Sequence, residues 1–121
     1  MGTVLLQQGQ PQAALTASQR STSEVFQLMG AALANYDLGN AKEAQKALDR
    51  LTSSFPHSAA YQIATAYAWW GDNDRAFEWL DRARRQGDGG MTFVKLDPLL
   101  RKIRSDPRYP ALLMRMNLPQ D

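Results

Sequence analysis

Cysteine is absent from this sequence, and histidine occurs once, at His57. Without cysteine the chain has no disulfide framework, no thiolate metal site and no cysteine nucleophile. One histidine cannot supply the several imidazoles that many metal sites use. No apolar run approaches the roughly 18 residues of a membrane-spanning helix, and Val4–Leu6 is too short for the core of a secretory leader. We therefore expect a cytoplasmic location.

Sequence signals for catalysis are also scarce. Gly87–Gly90 is rich in glycine, but the Lys-Ser/Thr pair of a phosphate-binding loop does not follow it. His57 follows Pro56 in a predicted turn, where it is not expected to join a Ser-His-acid set. The 121 residues are 44% hydrophobic and 21% charged, which is typical of a globular protein. We expect one domain over residues 1–121, with no catalytic residue, bound metal or cofactor.

An internal repeat organises the first two thirds of the chain. Three segments align without gaps: each begins with glycine, continues with a polar residue and has alanine five positions later. The glycines lie 30 and 32 residues apart, which is the period of a helical hairpin. The segments are Gly9–Ala14, Gly39–Ala44 and Gly71–Ala76.

Each segment is typical of a helix end, a tight turn and a new helix. Gly39 and Gly71 follow apolar stretches of helical periodicity, where a positive φ favours glycine. Asn40, with Glu43 three residues later, is typical of a capping box, and Asp72 is a second N-cap candidate. The first three predicted helices cover about 11–20, the stretch from the capping box Ser21–Glu24 to about 38, and 41–51. The next covers 59–70 after an N-cap at Ser58, and the last follows the N-cap Asp72 and runs to about 86.

The last third predicts a short helical cap. Asp97-Pro98 and Asp106-Pro107 each place an N-cap acid before proline, which predicts helices over about 98–104 and 107–116. Residues 87–96 are expected to form a loop. The apolar residues that would pack this cap over the end of the preceding helices are Leu99, Leu100, Ile103, Leu112, Leu113 and Met116. With no sustained strand alternation, the predicted fold is all-α.

These residues resemble the tetratricopeptide repeat family, over about residues 3–86. The best-matching unit contains Ile63, Ala64, Tyr67, Trp70, Gly71, Ala76, Leu80 and Ala83. The preceding unit matches at Leu28, Ala31, Ala32, Leu38, Gly39, Ala44, Leu48 and Pro56, and departs at Asn35 and Leu51. In the first unit, which supplies only a second helix, Ser18 stands where a large residue is usual. The resemblance implies a right-handed stack of antiparallel helix hairpins, closed by a two-helix cap at about 97–118.

The resemblance also implies a function, which is non-catalytic binding of a protein or peptide in a concave groove. The residues that map to this groove are Phe26, Met29, Leu33, Tyr36, Tyr61, Thr65 and Trp69. Alternatively, these side chains pack against the cap or against neighbouring helices. The tail after residue 92 is similar to tails that close tetratricopeptide regions of bacterial multidomain proteins. We therefore expect a scaffold that is the C-terminal part of a larger bacterial regulator.

Two other interactions remain open. Residues 82–121 contain nine basic and four acidic side chains, so this third of the chain could hold an acidic partner or, less readily, nucleic acid. The residues of this alternative basic patch are Arg84, Arg85, Lys95, Arg101, Lys102 and Arg104. Self-association is the other alternative, because an uncapped first hairpin would leave an apolar surface that a second copy could cover in a homodimer.

Overall fold

The computed structural model describes residues 9–20, 22–57, 59–87 and 97–115, and all regular structure in these ranges is helical. The elements are α1 (Pro11–Gln19), α2 (Glu24–Asp37), α3 (Ala41–Ser54), α4 (Ala60–Trp70), α5 (Asn73–Gln86), a 3₁₀ helix (Pro98–Ile103) and α6 (Arg108–Arg115). The predicted all-α class is therefore confirmed. None of the helices in the described ranges is long and apolar enough to cross a membrane.

The chain divides into two compact units, Met1–Ala59 and Ala60–Asp121. In the first unit, α2 packs against both α1 and α3. In the second unit, α4 packs against α5 and against the 3₁₀ helix, and α6 contacts α5. The buried apolar residues of the described part of the first unit include Ala14, Leu33, Ala44, Leu48 and Leu51. Those of the second include Ile63, Ala64, Ala76, Leu80, Leu100 and Leu113.

The connection between paired helices recurs with the same backbone geometry. Gly39 and Gly71 both have φ +81°, in the left-handed region where glycine carries no Cβ penalty. The amide of Gly39 donates to the carbonyl of Tyr36, and that of Gly71 donates to Ala68, each at 3.1 Å. The positive φ predicted for both glycines is confirmed.

The start of the helix after each glycine also recurs. The amide of Ala44 donates to the carbonyl of Asn40 at 3.0 Å, and the amide of Ala76 donates to Asp72 at the same distance. At the first repeat, Gly9 has φ +74° and the amide of Ala14 donates to Gln10 at 3.0 Å. The repeat found in the sequence is therefore a repeat of local structure at all three positions.

The helix caps follow the predictions in part. Asp72 is confirmed as an N-cap, since its side chain accepts a hydrogen bond from the amide of Arg75 at 3.3 Å. Asn40 stands at the N-cap position of α3 as predicted, but its side chain makes no capping hydrogen bond, and its amide group donates to Oδ1 of Asn35 at 3.4 Å. The box at Ser21–Glu24 is wrong in register: Ser23, whose backbone is extended, caps α2 through the amide of Phe26.

The cap region contains two short helices, but the first is not α-helical. Residues 98–103 form a 3₁₀ helix, which suits short segments, and Asp97 accepts a hydrogen bond from the amide of Leu99 at 3.0 Å. The second begins one residue later than predicted, at Arg108, whose amide donates to Asp106 at 2.9 Å. Residues 1–8, 88–96 and 116–121 lie outside the described residues, as does the predicted cap Ser58.

Ser18, which departs from the repeat pattern, lies on α1 close to Gly30 of α2. A Cβ atom at Gly30 would come closer than 3.0 Å to both Oγ and Cβ of Ser18. The Ser18 hydroxyl donates to the carbonyl of Ala14 at 2.9 Å, along its own helix. A large side chain at either position would force the two helices apart, so the small residues at 18 and 30 act as a pair.

Candidate functional site

The first unit carries four of the predicted groove residues on one stripe of α2. Their spacings of three and four residues place Phe26, Met29, Leu33 and Tyr36 on one helix face. The Phe26 side chain is 50% exposed and Tyr36 is 39% exposed, whereas Met29 and Leu33 are buried. Within this stripe, the exposed side chains are therefore the two aromatic residues at its ends. We call Phe26 and Tyr36 the α2 aromatic pair.

The α2 aromatic pair spans ten residues, or about 15 Å along the helix axis. Two residues before its first member, Glu24 forms an ion pair with Arg50 of α3 at 3.3 Å, and both side chains are well exposed. Side chains two positions apart do not face each other on a helix, so this ion pair lies off the stripe, and because it is exposed it adds little stability.

The second unit carries the other three predicted groove residues on α4. Tyr61 and Thr65 are buried, and Trp69 is half-buried. The Thr65 hydroxyl donates to the carbonyl of Gln62 on its own helix at 2.6 Å. The Tyr61 hydroxyl instead donates to Oδ2 of Asp97 at 2.7 Å, and Asp97 is the residue that caps the 3₁₀ helix.

We call Tyr61, Thr65 and Trp69 the α4 stripe. Trp69 lies at its C-terminal end and is contacted by the C-terminal end of the 3₁₀ helix. Lys102 Nζ donates to the carbonyl of Trp69 at 2.5 Å and lies 5.7 Å from the centroid of a Trp69 ring. In this unit the predicted groove residues Tyr61 and Trp69 therefore contact the protein's own cap. The sequence had left open whether they would do so or face a partner.

The sequence allowed packing of the groove residues against the cap but did not identify which residues make the contacts. It identified Asp97 as an N-cap and assigned Lys102 to a possible nucleic-acid patch, but paired neither with α4. The Tyr61–Asp97 bond joins residues 36 positions apart, and that pairing exists only because the 3₁₀ helix packs on α4. No local pattern near either residue signals it.

Most of the predicted basic patch is engaged within the fold. Asp81 accepts a hydrogen bond from Arg84 at 2.9 Å and pairs with Arg85 at 3.2 Å and Arg115 at 3.7 Å. The hydrogen bond from Arg84, more than the other two charges, lowers the pKa of Asp81. Arg104 donates to the carbonyl of Asp97 at 3.0 Å.

The remaining members of the basic patch are Lys102, Arg101 and Lys95. Lys102 contacts Trp69 as described, Arg101 is exposed, and Lys95 lies outside the described residues. Arg82, also in the basic third, lies over the Trp79 ring at 4.3 Å. Among the described residues of this third, Arg84, Arg85, Lys102 and Arg104 therefore make contacts within the fold.

A second ion-pair network links the start of α5 to the start of α6. Arg108 pairs with Asp106 and with Asp74, each at 2.8 Å, and lies 4.9 Å from the Phe77 ring centroid. Hydrogen bonds from the side chain and the backbone of Arg108 lower the pKa of Asp106, with a smaller contribution from Asn73. The hydrogen bond to Asp106 raises the pKa of Arg108. The network holds α6 against α5.

The candidate metal ligands in residues 9–20, 22–57, 59–87 and 97–115 are histidine, aspartate and glutamate side chains. No group of three or more His, Asp or Glu side chains in those ranges could hold a metal ion. His57 is exposed. Comparisons with models of protein families, with curated proteins and with solved structures find no match to this chain. The functional assignment therefore depends on the surfaces described above.

Proposed function

We propose that this chain is a non-catalytic interaction module built from tetratricopeptide-like hairpins, and that it binds a helix or extended segment of a protein partner. The recurring connection supports a repeat scaffold. The glycine φ values and the first hydrogen bond of the following helix agree at three positions along the chain. Scaffolds of this kind present side chains on helix surfaces for binding.

The observation that carries this proposal is the exposure of the α2 aromatic pair. Among the described residues, three large hydrophobic side chains are exposed: Phe26, Tyr36 and Met114. Two of the three lie on one stripe of one helix, with Met29 and Leu33 buried between them. Exposed aromatic residues are frequent anchors in protein interfaces, since each buries a large area with few rotatable bonds.

The proposal is tested by capture of a partner from lysate of the source cell, followed by titration with the purified partner. The test variant is Phe26→Ala/Tyr36→Ala, and the matched control is Met114→Ala, which truncates the exposed side chain on α6. We expect the test variant to bind at least about tenfold more weakly than wild type, because each lost anchor typically costs more than 1 kcal/mol. Met114→Ala should bind as wild type does.

Two results would contradict the proposal. One is a partner whose affinity is the same for wild type and for the Phe26→Ala/Tyr36→Ala variant. The other is captured material that disappears when the lysate is treated with nuclease, which would transfer the function to nucleic-acid binding. Circular dichroism of each variant checks that helicity is retained, as expected for substitutions of exposed side chains.

A further inference from the structure

The α4 stripe is already covered by a short segment with a distinct chemical pattern. We call Asp97–Ile103 the cap segment. Its first residue accepts the hydrogen bond from Tyr61, and five residues later Lys102 contacts the ring and the carbonyl of Trp69. Between these polar contacts Leu99 and Leu100 are buried.

The cap segment runs in the same direction as α4. Tyr61 and Trp69 are separated by about 12 Å along an α-helix, and five residues of 3₁₀ helix extend about 10 Å. The cap segment, with one polar contact at each end and leucines between them, therefore has about the same length as the α4 stripe. The segment follows α4 as a short peptide ligand follows a binding surface.

The conformation of the cap segment depends on this docking. A 3₁₀ helix has poorer hydrogen-bond geometry than an α-helix and seldom persists by itself. The amide of Leu100 donates to the carbonyl of Asp97 at 3.1 Å, and that of Arg104 donates to Arg101 at 3.3 Å. So short a helix has little stability of its own, and its contacts with α4 select its structure.

The helix that follows the cap segment is held separately. Arg108 pairs with Asp74 at 2.8 Å, and Arg115 lies 3.7 Å from Asp81, so two ion pairs join α6 to α5. Neither contact involves α4. Neither ion pair requires the cap segment to lie on α4.

We propose that the cap segment is an internal competitor for the α4 stripe, and that a partner segment of the same chemistry binds by displacing it. Such a partner carries a carboxylate for the Tyr61 hydroxyl, adjacent leucines, and a cation five residues after the carboxylate for Trp69. This inference rests on the proposed interaction function, and it names the chemistry of the partner and the regulation of its binding.

The test uses a fluorescent peptide with the sequence of residues 97–104, Asp-Pro-Leu-Leu-Arg-Lys-Ile-Arg, and the full chain. The opened variant is Asp97→Ala/Lys102→Ala, which weakens the cap segment and leaves α4 unchanged. The control is Arg101→Ala, which alters an exposed residue of the same segment. We expect the opened variant to bind the peptide at least tenfold more tightly than wild type or the control, since apparent affinity scales with the open fraction.

Adding Trp69→Ala to the opened variant should weaken peptide binding at least tenfold, because the site for the peptide cation is removed. The proposal is overturned if the opened variant keeps its helicity and binds the peptide no better than wild type. In that case the cap segment is a fixed part of the second unit.

A measurement on the wild type covers the case in which the opened variant does not fold. Excess peptide should speed hydrogen exchange of the amides of residues 99–104 and leave those of α4 protected. Unchanged exchange at a peptide concentration in the millimolar range would also overturn the proposal. If a partner still depends on Phe26 and Tyr36, only this inference fails. If the peptide binds but those residues do not matter, the proposed α2 surface fails instead.

Discussion

Replacing Gly30 by alanine is the sharpest test of how α1 and α2 pack. The added Cβ would meet the Cβ and Oγ of Ser18 at less than 3.0 Å, a separation that real Cβ atoms essentially never show. Because a Cβ atom cannot rotate away, the helices must separate. Overpacking of this kind costs roughly 1–3 kcal/mol, and alanine recovers about 1 kcal/mol of helix propensity. With two overlapping atoms, we expect a net loss of about 2 kcal/mol.

A second substitution should reverse this loss. Ser18→Gly removes both overlapping atoms, after which the nearest neighbour of the new Cβ is the Ser18 Cα position at 3.6 Å, an ordinary contact. Ser18→Gly alone should cost about 0.5 kcal/mol in helix propensity. The double variant Gly30→Ala/Ser18→Gly should therefore be about as stable as wild type, with a coupling of about 3 kcal/mol, which is the whole cost of the overlap.

The assay is urea denaturation followed by far-ultraviolet circular dichroism for wild type, both single variants and the double variant. Gly39→Ala is the control, because its φ of +81° disfavours alanine although nothing lies within 4 Å of the added Cβ. It should lose about 1–2 kcal/mol by backbone strain, and Ser18→Gly should not rescue it. The reasoning is refuted if Gly30→Ala is as stable as wild type, or if Ser18→Gly does not restore it.

Three further predictions follow from burial and from charge. Leu33→Ala should cost about 2–5 kcal/mol in chemical denaturation because this side chain is fully buried, whereas Phe26→Ala should change stability by less than about 0.5 kcal/mol; equal losses would contradict the assigned exposures. Tyr61→Phe should cost about 1 kcal/mol, and a double-mutant cycle with Asp97→Ala should show that the two losses do not add. Arg108 lowers the pKa of Asp106 from 3.8, so the contribution of ionised Asp106 to folding stability is present above about pH 4 and is lost as the pH falls below that value. Wild type should therefore lose more thermal stability on acidification than Asp106→Asn. Parallel curves of melting temperature against pH for the two proteins would refute this.

The local structure of this chain could be read from its sequence to a large extent. Glycine at 39 and 71 predicts a positive φ because other residues pay a steric penalty there, and an acid before proline predicts the helix starts near 97 and 106. Two capping predictions failed in detail. Asn40 stands at the N-cap position, but its amide group donates to the Asn35 side chain and its oxygen caps no backbone amide. At the start of α2, adjacent hydroxyl residues competed for the cap, and Ser23 holds it.

The candidate site was predictable only as a set of helix faces. The periodicity of α2 and α4 identifies which residues share a stripe, because side chains three and four positions apart lie on one face. It does not say what covers that stripe.

The sequence by itself therefore determined the helices, their order and the repeated turns, since these depend on φ preferences, capping and periodicity within a few residues. Only the tertiary structure decided that Phe26 and Tyr36 stay exposed, that Leu33 is buried, and that Tyr61 and Trp69 contact the cap segment. Those outcomes depend on contacts between distant segments. Such contacts reflect the balance of apolar burial and polar pairing over a whole unit, which no local pattern encodes.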